Sequence, residues 1–418
     1  MEPSSKGVAP VAVSRRIKVV AGVLPLAAFA GMVTTGQAQG ASPNEVVRSG
    51  IEAHHLSSTA VVGAGKRHQG AVFAMTNVTG RNRIVEYRRS ANGHLTRVGS
   101  VWTRGRGIGT DLDTQGSLRL SGDHRFLYAT NAGSDNVSVF SVHGTTLTFL
   151  QKVYAGDEPT SLTLHGNLLY VLESSVAGNG IRGFRVAANG KLSPLSRSFR
   201  LLSSPIAVPG QVQFSPDGRL LLVTQKTTNV LLSPRNAIDV FRVRSSGRPS
   251  ALPKRNASAG LRPFSLAFRN KNQVVVAEAF NAAPGASATS LYRVSPNGTL
   301  AVQSPSVRSG QTDACWIVVT KDDRYAFVAN FGSGTISSYR FSSTGELRLK
   351  DEKAAFLGLL SQPVDLALSS NSRYLYLLLR GTGAVAAFAI GDRGNLRRLD
   401  VTRGSLPVAD GASGLAAY

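Results

Sequence analysis

One pattern of apolar strands recurs seven times along the chain and constrains the fold more than any other feature. Each unit contains a second strand such as "FLYATN" or "YAFVAN" and a third strand such as "VSVFSVHGTTL", which ends in a tight turn. The second strands end at Asn77, Asn131, Glu173, Gln225, Glu278, Asn330 and Leu379, 42 to 54 residues apart. Repeats of this length, built from short strands, are typical of β-propeller blades.

The first strands show how the ring of blades would close. Six second strands are preceded by a first strand, such as "GQVQFSPD" or "PVDLALSS", but nothing comparable precedes "GAVFAMTN". The seventh first strand is the C-terminal "ASGLAAY", which ends at Tyr418. Pairing of this segment into the first blade would close the ring and remove an exposed sheet edge. The sequence therefore predicts an all-β, seven-bladed β-propeller over residues 57–418, closed by its C-terminal strand.

The N-terminal residues are typical of an export signal. Ser14, Arg15 and Arg16 precede the apolar run "VVAGVLPLAAFAGMV", and small residues near Ala38 follow it. The paired arginines favour a twin-arginine signal over residues 1–40, followed by a linker over residues 41–56. An ordinary secretory signal and an uncleaved anchor remain the alternatives. We expect a monomer in the periplasm or outside the cell, with no membrane span in the mature chain.

Composition limits the chemistry. The single cysteine, Cys315, excludes an intrachain disulfide, and no metal-binding motif is present, so we expect no metal. The 418 residues carry a formal net charge of +23, yet the arginines are scattered along the repeats and no nucleic-acid-binding motif accompanies them. We therefore expect no nucleic-acid partner and interpret most of this charge as general surface charge.

Several segments carry a family resemblance that covers almost the whole mature chain. They are "FSPDGRLLLVTQ" (Phe214–Gln225), "NAIDVFRV" (Asn236–Val243), "AEAFNAAPGASATSLYRV" (Ala277–Val294), "GQTDACWIVVTKDDRYAFVANFGSGTISSYR" (Gly310–Arg340) and "PVDLALSSNSRYLYLL" (Pro363–Leu378). With these segments the chain resembles the propeller lactonase family, which includes propeller-type 6-phosphogluconolactonase and carboxymuconate cyclase.

The resemblance implies an enzyme that acts on a small-molecule lactone without a metal or organic cofactor. Active members resemble one another in a Pro-His step at the start of an inner strand, with Arg and Glu nearby. In this sequence the corresponding positions are Gly116, Thr160, Gly210, Phe264, Cys315, Val364 and Ser413. None is a histidine, so the catalytic histidine of the family has no counterpart here.

Other polar residues are expected at the mouth of the central channel, where the inter-blade loops and the turns between second and third strands meet. Glu278 is the first candidate for a general base, because the apolar "VVVA" before it would raise its pKa. Glu173 is the second candidate. The alternative is that each carboxylate only caps its strand. Lys226, Gln311, Asp313 and Arg380 are the candidates for binding an anionic or polyhydroxylated ligand. For the two cations the alternative is a solvated turn residue.

Two further features favour structural roles. Cys315 has no histidine in reach and is expected to be a buried, unreactive thiol. The pair Asp111 and Asp113 could join Asp313 around a divalent cation, but a role in the turn is the stronger interpretation.

Two hypotheses from different classes follow. The first is an exported lactonase-like enzyme that hydrolyses or forms the lactone of an anionic or polyhydroxylated small molecule. The second is a non-catalytic secreted propeller that binds a polyanion, a wall polymer or another protein through the same face.

Overall fold

The structure is a computed structural model that describes residues 69–175, 178–204, 208–226, 236–404, 406–408 and 411–418. The chain divides into two units, Met1–Gly63 and Ala64–Tyr418. The first unit, which contains the predicted leader and linker, lies outside the described residues. Among the residues that are described, no helix is both long enough and apolar enough to cross a membrane.

Seven antiparallel sheets make up the described part of the chain, and each is one blade. Blade 1 contains β1 (Gly70–Met75), β2 (Arg83–Arg89) and β3 (Leu95–Trp102). Blade 2 contains β4 (Leu118–Leu120), β5 (Phe126–Asn131), β6 (Asn136–His143) and β7 (Thr146–Tyr154). Blade 3 contains β8 (Pro159–His165), β9 (Leu168–Glu173), β10 (Gly180–Val186), β11 (Leu192–Pro194) and β12 (Arg200–Leu201).

Blade 4 contains β13 (Val208–Phe214), β14 (Leu220–Lys226), β15 (Ala237–Arg242) and β16 (Lys254–Ala257). Blade 5 contains β17 (Pro263–Asn270), β18 (Gln273–Glu278), β19 (Ala288–Val294) and β20 (Leu300–Arg308). Blade 6 contains β21 (Ala314–Val319), β22 (Tyr325–Asn330), β23 (Thr335–Phe341) and β24 (Leu347–Phe356). Blade 7 contains β25 (Pro363–Leu368), β26 (Tyr374–Leu379), β27 (Ala384–Ile390) and β28 (Leu396–Thr402). Short 3-10 turns lie at Ala132–Ser134, Phe280–Ala282 and Arg380–Thr382, and the last strand is β29 (Leu415–Ala417).

The core lies between neighbouring blades. The second strands are buried along nearly their whole length, as in "YLYLLL" of β26, because both faces of each blade pack against the adjacent blades. Val223 of blade 4, for example, belongs to the same apolar cluster as Leu172 of blade 3. The fourth strands form the outer edge, and most of their residues are half-buried or exposed, as in β7.

Tyrosine hydroxyls add a repeated link between blades. Tyr128, Tyr170 and Tyr376 each lie in a second strand and donate to the carbonyl of a turn glycine in the next blade, over 2.7 to 3.0 Å. Tyr376 reaches from blade 7 to Gly93 of blade 1, so the link continues across the point where the ring closes. Each such bond satisfies a hydroxyl that the packing has removed from water.

The C-terminal strand closes the ring as the sequence predicts. β29 pairs antiparallel with β1, with Phe73 opposite Ala416, and it is the innermost strand of blade 1. Below the strand, the Tyr418 carbonyl accepts a hydrogen bond of 2.9 Å from Nε of Arg89. The predicted fold, a seven-bladed propeller closed by its last strand, is confirmed.

Asp365 of blade 7 holds the start of this last strand. Its buried carboxylate accepts a hydrogen bond of 2.7 Å from the backbone N–H of Gly414 and a longer one from that of Gly116. Burial raises the pKa of Asp365 to about 6, although these N–H groups and nearby Arg119 act in the opposite direction. One carboxylate therefore connects blade 7 to the strand that closes blade 1 and to the segment that leads into blade 2.

The closure can be tested by placing a charge at each of two positions in the C-terminal segment. Leu415 is 6% exposed and Val408 is 60% exposed. We expect Leu415→Asp to lower the free energy of unfolding by about 3 kcal/mol or more, because the new carboxylate is buried without a partner. Val408→Asp, the control, should change it by less than about 0.5 kcal/mol. Equal effects in urea unfolding would contradict the closure.

Asp365 predicts a pH dependence of stability. Because its folded pKa of about 6 lies above the ordinary value of 3.8, the native state binds the proton more tightly than the unfolded state does. Its contribution is full below pH 3.8 and is lost as the pH rises through about 6. The total loss is on the order of 3 kcal/mol. Asp365→Asn should lack this part of the decline when unfolding is measured between pH 4 and 7, whereas curves of equal slope would refute the assignment.

Candidate functional site

Six charged side chains gather at the mouth end, the end of the propeller that carries the inter-blade loops. Three are carboxylates and three are cations, and all except Lys226, the last residue of β14, lie in connections between strands. We call this set the mouth cluster: Asp111, Asp113, Lys226, Arg262, Asp313 and Arg380.

Ion pairs hold the mouth cluster together. The Oδ2 atom of Asp113 lies 2.6 Å from Nζ of Lys226 and 3.4 Å from Nη2 of Arg262. The Oδ2 atom of Asp111 lies 2.9 Å from Nη1 of Arg380. The side chain of Lys226 has no exposed surface, whereas that of Asp113 is 34% exposed. The lysine is therefore the buried member of the cluster and supports Asp113, which is partly exposed to solvent.

Strained turns aim these side chains. Asp113, Arg262 and Asp313 each lie a short distance before an inner strand and have φ angles of 51°, 53° and 62°. For residues other than glycine this left-handed conformation costs energy, on the order of 1 kcal/mol each. Inner strands β17 and β21 then begin with a bulge, which redirects the side chains that follow. The mouth cluster is thus set by backbone geometry that the repeats share.

Residues 113–116 cross the central channel below the mouth cluster. The side-chain amide of Gln115, at the start of blade 2, makes two hydrogen bonds of 3.0 Å with the backbone of Ile317 in blade 6. The Thr114 carbonyl accepts a hydrogen bond of 3.2 Å from Nε1 of Trp316, and its hydroxyl donates to the Thr160 carbonyl of blade 3. This crossing segment forms the floor of the mouth, and we call the space above it the basin.

Aromatic rings form an apolar wall behind the mouth cluster, in which Phe264 and Trp316 are buried. The ring centroids of Phe264 and Trp316 are 4.8 Å apart, and those of Trp316 and Phe331 are 6.2 Å apart. Nζ of Lys226 lies 4.0 Å from the ring centroid of Phe264, and the Arg380 guanidinium lies 4.9 Å from that of Phe331. Such cation–π contacts stabilise the buried cations. The wall also lowers the local dielectric around the mouth cluster.

Burial changes the acidity of three side chains at the mouth end. It raises the pKa of Asp313 above its usual range, with Arg262 acting in the opposite direction. It lowers the pKa of Lys226, an effect that Asp113 opposes. Burial also raises the pKa of the Cys315 thiol well above its usual range, and this thiol donates to Oδ1 of Asp313 over 3.4 Å. Asp313 is therefore a carboxylate that takes up protons more readily than an exposed one.

The sequence prediction placed six candidate residues in the site, and the structure brings three of them together: Lys226, Asp313 and Arg380. Gln311 has its Oε1 engaged by the hydroxyl of Thr335, 2.9 Å away, and is nearly buried. Arg262 was not among the residues predicted from the sequence. Its position directly before Pro263 is equivalent to that of Asp313 directly before Ala314 at the next inner strand, and this equivalence could have identified it.

Glu278 lies inside blade 5 with no exposed surface. Its carboxylate accepts hydrogen bonds from the Gly260 N–H at 2.9 Å, the Ser290 hydroxyl at 2.5 Å and the Ser306 hydroxyl at 2.7 Å. Burial raises its pKa, and the bonds from Ser290 and Ser306 oppose the rise. These contacts connect the strands of the blade, and none of them reaches the mouth cluster.

Glu173 is in a comparable position in blade 3. Its Oε1 atom lies 2.7 Å from Nε of Arg182, and Oε2 accepts a hydrogen bond from the Asp157 N–H. Asn131 and Asn330, at the same place in blades 2 and 6, are buried and bond to serine hydroxyls of the third strand. The ends of the second strands were expected to surround the mouth, but they are covered by the loops and hold those loops in place.

No three His, Cys, Asp or Glu side chains among the described residues are arranged to hold a metal ion. In the mouth cluster this follows from the pairing, because Asp111 and Asp113 already face cations. What the basin offers is a set of charged hydrogen-bond donors and acceptors beside an apolar wall. Such a site can bind a small polar molecule and stabilise a developing negative charge.

Comparison with known proteins identifies a family that part of the chain resembles. Residues 63–209, which span blades 1 to 3, match the family described as "Lactonase, 7-bladed beta-propeller". Over these blades the chain is similar to lactonase propellers. The resemblance inferred from the sequence is thereby confirmed. No curated protein matches the chain.

Three solved structures share the fold of this chain. A protein from Lactobacillus plantarum has 16% identity and a TM-score of 0.65, over 84% of this chain and 100% of that chain. A putative 6-phosphogluconolactonase from Bacteroides uniformis has 16% identity and a TM-score of 0.64, over 84% and 99%. A periplasmic gluconolactonase from Pseudomonas aeruginosa has 18% identity and a TM-score of 0.62, over 84% and 99%. At these identities the similarity shows the fold.

The ion pair between Asp113 and Lys226 leads to a stability prediction. Asp113→Asn leaves the buried Lys226 ammonium without its carboxylate and should lower the free energy of unfolding by about 3 kcal/mol. Asp123→Asn is the control, because Asp123 pairs with Arg125 at 3.7 Å on the exposed surface. Its removal should cost at most about 1 kcal/mol. Chemical unfolding of both variants decides the point, and equal losses would show that Lys226 does not depend on Asp113.

Proposed function

We propose that the protein is an exported hydrolase that opens the ring of a small lactone in the basin at the mouth end. The carrying observation is the mouth cluster itself, where Asp313 has a raised pKa near Arg262 and Lys226, and where Arg380 pairs with Asp111 beside the aromatic wall. The similarity to lactonase propellers supports the class of reaction. The substrate that fits this basin is an anionic or polyhydroxylated lactone of small size.

Asp313 is the general base in this proposal. Water attacks the carbonyl carbon while the carboxylate of Asp313 takes its proton, and the carbonyl electrons move onto oxygen. The guanidinium groups of Arg262 and Arg380 donate to this oxyanion. When the carbonyl re-forms, the ring C–O bond breaks, and Asp313 returns the proton to the ring oxygen. The product is a hydroxy acid, and Asp313 is again ionised.

The other members of the cluster keep these groups in position. Lys226 is buried and paired with Asp113, so it orients that carboxylate and does not contact the substrate. Asp111 and Asp113 are partly exposed and can accept hydrogen bonds from substrate hydroxyls. Because both carboxylates offset nearby cations, recognition of hydroxyl groups contributes more to binding than attraction of a phosphate.

The base role first assigned to Glu278 and Glu173 stays a prediction and provides a direct contrast. Both carboxylates are engaged by donors of their own blades. If they act only within the blade, their amide variants lower stability and leave the chemical step intact. The same assay therefore compares them with Asp313.

Export is part of the proposal and is supported by the leader pattern around Arg15 and Arg16. An exported enzyme meets lactones outside the cytoplasm, which favours an unphosphorylated sugar lactone as the substrate. The periplasmic gluconolactonase from Pseudomonas aeruginosa, whose fold this chain shares, is an exported protein of this kind.

Hydrolysis of a panel of sugar and aliphatic lactones, followed by proton release, tests the proposal. Asp313→Asn should lower kcat by about a hundredfold or more, because the water loses its base. Glu278→Gln, the matched control, should lower Tm and retain kcat. Because burial raises the pKa of Asp313, wild-type kcat should rise with pH through that pKa, and this limb should be missing in Asp313→Asn.

Two results would contradict the proposal. Hydrolysis that survives in Asp313→Asn and disappears in Glu278→Gln would return the base role to Glu278. A panel on which the wild-type protein shows no hydrolysis would reject lactone opening in the basin.

A further inference from the structure

A basic groove lies at the end of the propeller opposite the mouth, between blades 4 and 5. It consists of two adjoining cavities of about 610 and 300 Å³ that share Arg242 and Ser250. Its walls come from the turns between first and second strands and between third and fourth strands, which lie away from the inter-blade loops. The cations of this basic groove are Arg219, Arg242, Arg244 and Lys254.

The charges in the basic groove are largely unopposed. All four cationic residues are exposed, and the nearest recorded carboxylate is that of Asp217, 3.9 Å from Nε of Arg219. No ion pair or side-chain hydrogen bond among the described residues involves the guanidinium of Arg242 or Arg244. A cluster of exposed like charges costs free energy through repulsion, and a bound anion removes that cost.

Neighbouring arginines differ because they have structural partners. Arg200 donates from Nε to the Ser250 carbonyl at 2.9 Å, Arg248 donates to the Ser196 carbonyl at 2.9 Å, and Arg185 donates to the Ser246 carbonyl at 2.6 Å. These three fix the turns that form the groove walls. The fixed walls hold the cations of the groove in place, so the groove is preformed for a ligand.

We propose that the basic groove binds a linear anionic polysaccharide. Arg219, Arg242 and Arg244 supply planar donors that match carboxylate groups spaced along a chain. The groove has Pro296, Pro253 and Leu252 as its apolar lining, and Leu252 is 80% exposed. No aromatic ring lines either cavity, so the site lacks the stacking surface with which proteins bind single-stranded nucleic acids.

The position of the groove separates it from the basin. Because it lies at the opposite end from the mouth, a chain held there leaves the basin open to solvent. A polymer in the groove would fix the protein to an anionic matrix without competing for the small-molecule site. This inference goes beyond the proposed hydrolysis and does not depend on it.

Binding of fluorescently labelled alginate, a carboxylate polymer, tests the proposal. The triple variant Arg219→Ser/Arg242→Ser/Arg244→Ser should weaken binding by about tenfold or more at low salt, since it removes three of the four cations. Arg393→Ser/Arg397→Ser/Arg398→Ser is the matched control. It removes the same charge from exposed positions on blade 7 and should change binding by less than about twofold if the groove is the site. Unchanged Tm of both variants shows that the fold persists.

Three results would overturn the proposal. Equal weakening by both triple variants would show general attraction to a basic surface. No binding of alginate by the wild-type protein would exclude the ligand, and tighter binding of single-stranded DNA than of alginate would assign the groove to nucleic acid. Asp313→Asn should bind alginate as the wild type does, so failure of the hydrolysis proposal is distinguishable from failure of this one.

Discussion

The antiparallel pairing of β29 with β1 is the constraint on which the rest of the structure depends. Each blade buries both faces against its neighbours, so a ring that did not close would expose two apolar faces and a sheet edge. The three residue pairs between these strands, from Val72–Ala417 to Ala74–Leu415, prevent this. The first and last strands are thereby joined without a covalent bond, and Asp365 and Tyr376 of blade 7 strengthen the same seam.

Closure also explains where the chemistry lies. In a closed ring the inter-blade loops converge on one end, so residues far apart in sequence, such as Asp113 and Asp313, come together there. The crossing segment uses the same convergence, because Gln115 can reach Ile317 only across a narrow channel. The result is a rigid basin whose charged groups are positioned before a ligand arrives, which is the arrangement that electrostatic catalysis requires.

The repeat pattern made the fold predictable, because strand positions and the missing first strand can be read without knowing any side-chain contact. It also placed Lys226, Asp313 and Arg380 at the mouth end, since equivalent positions of blades share an end. It could not predict the burial of Glu278, because the donors come from Ser290 and Ser306 on two other strands. The path of the crossing segment was also hidden, since it depends on contacts with blades 3 and 6 and not on a local pattern.

Hydrogen exchange at the seam tests the central claim most directly. Three amides mark the closing strand: Tyr418 donates to the Ala71 carbonyl, Met75 to that of Gly414 and Ser413 to that of Met75. If closure holds the ring together, these amides exchange as slowly as those of the buried second strands, because they open only when the whole domain unfolds. Exchange of these three amides at the rate of an unprotected peptide, while the second strands stay protected, would contradict the account.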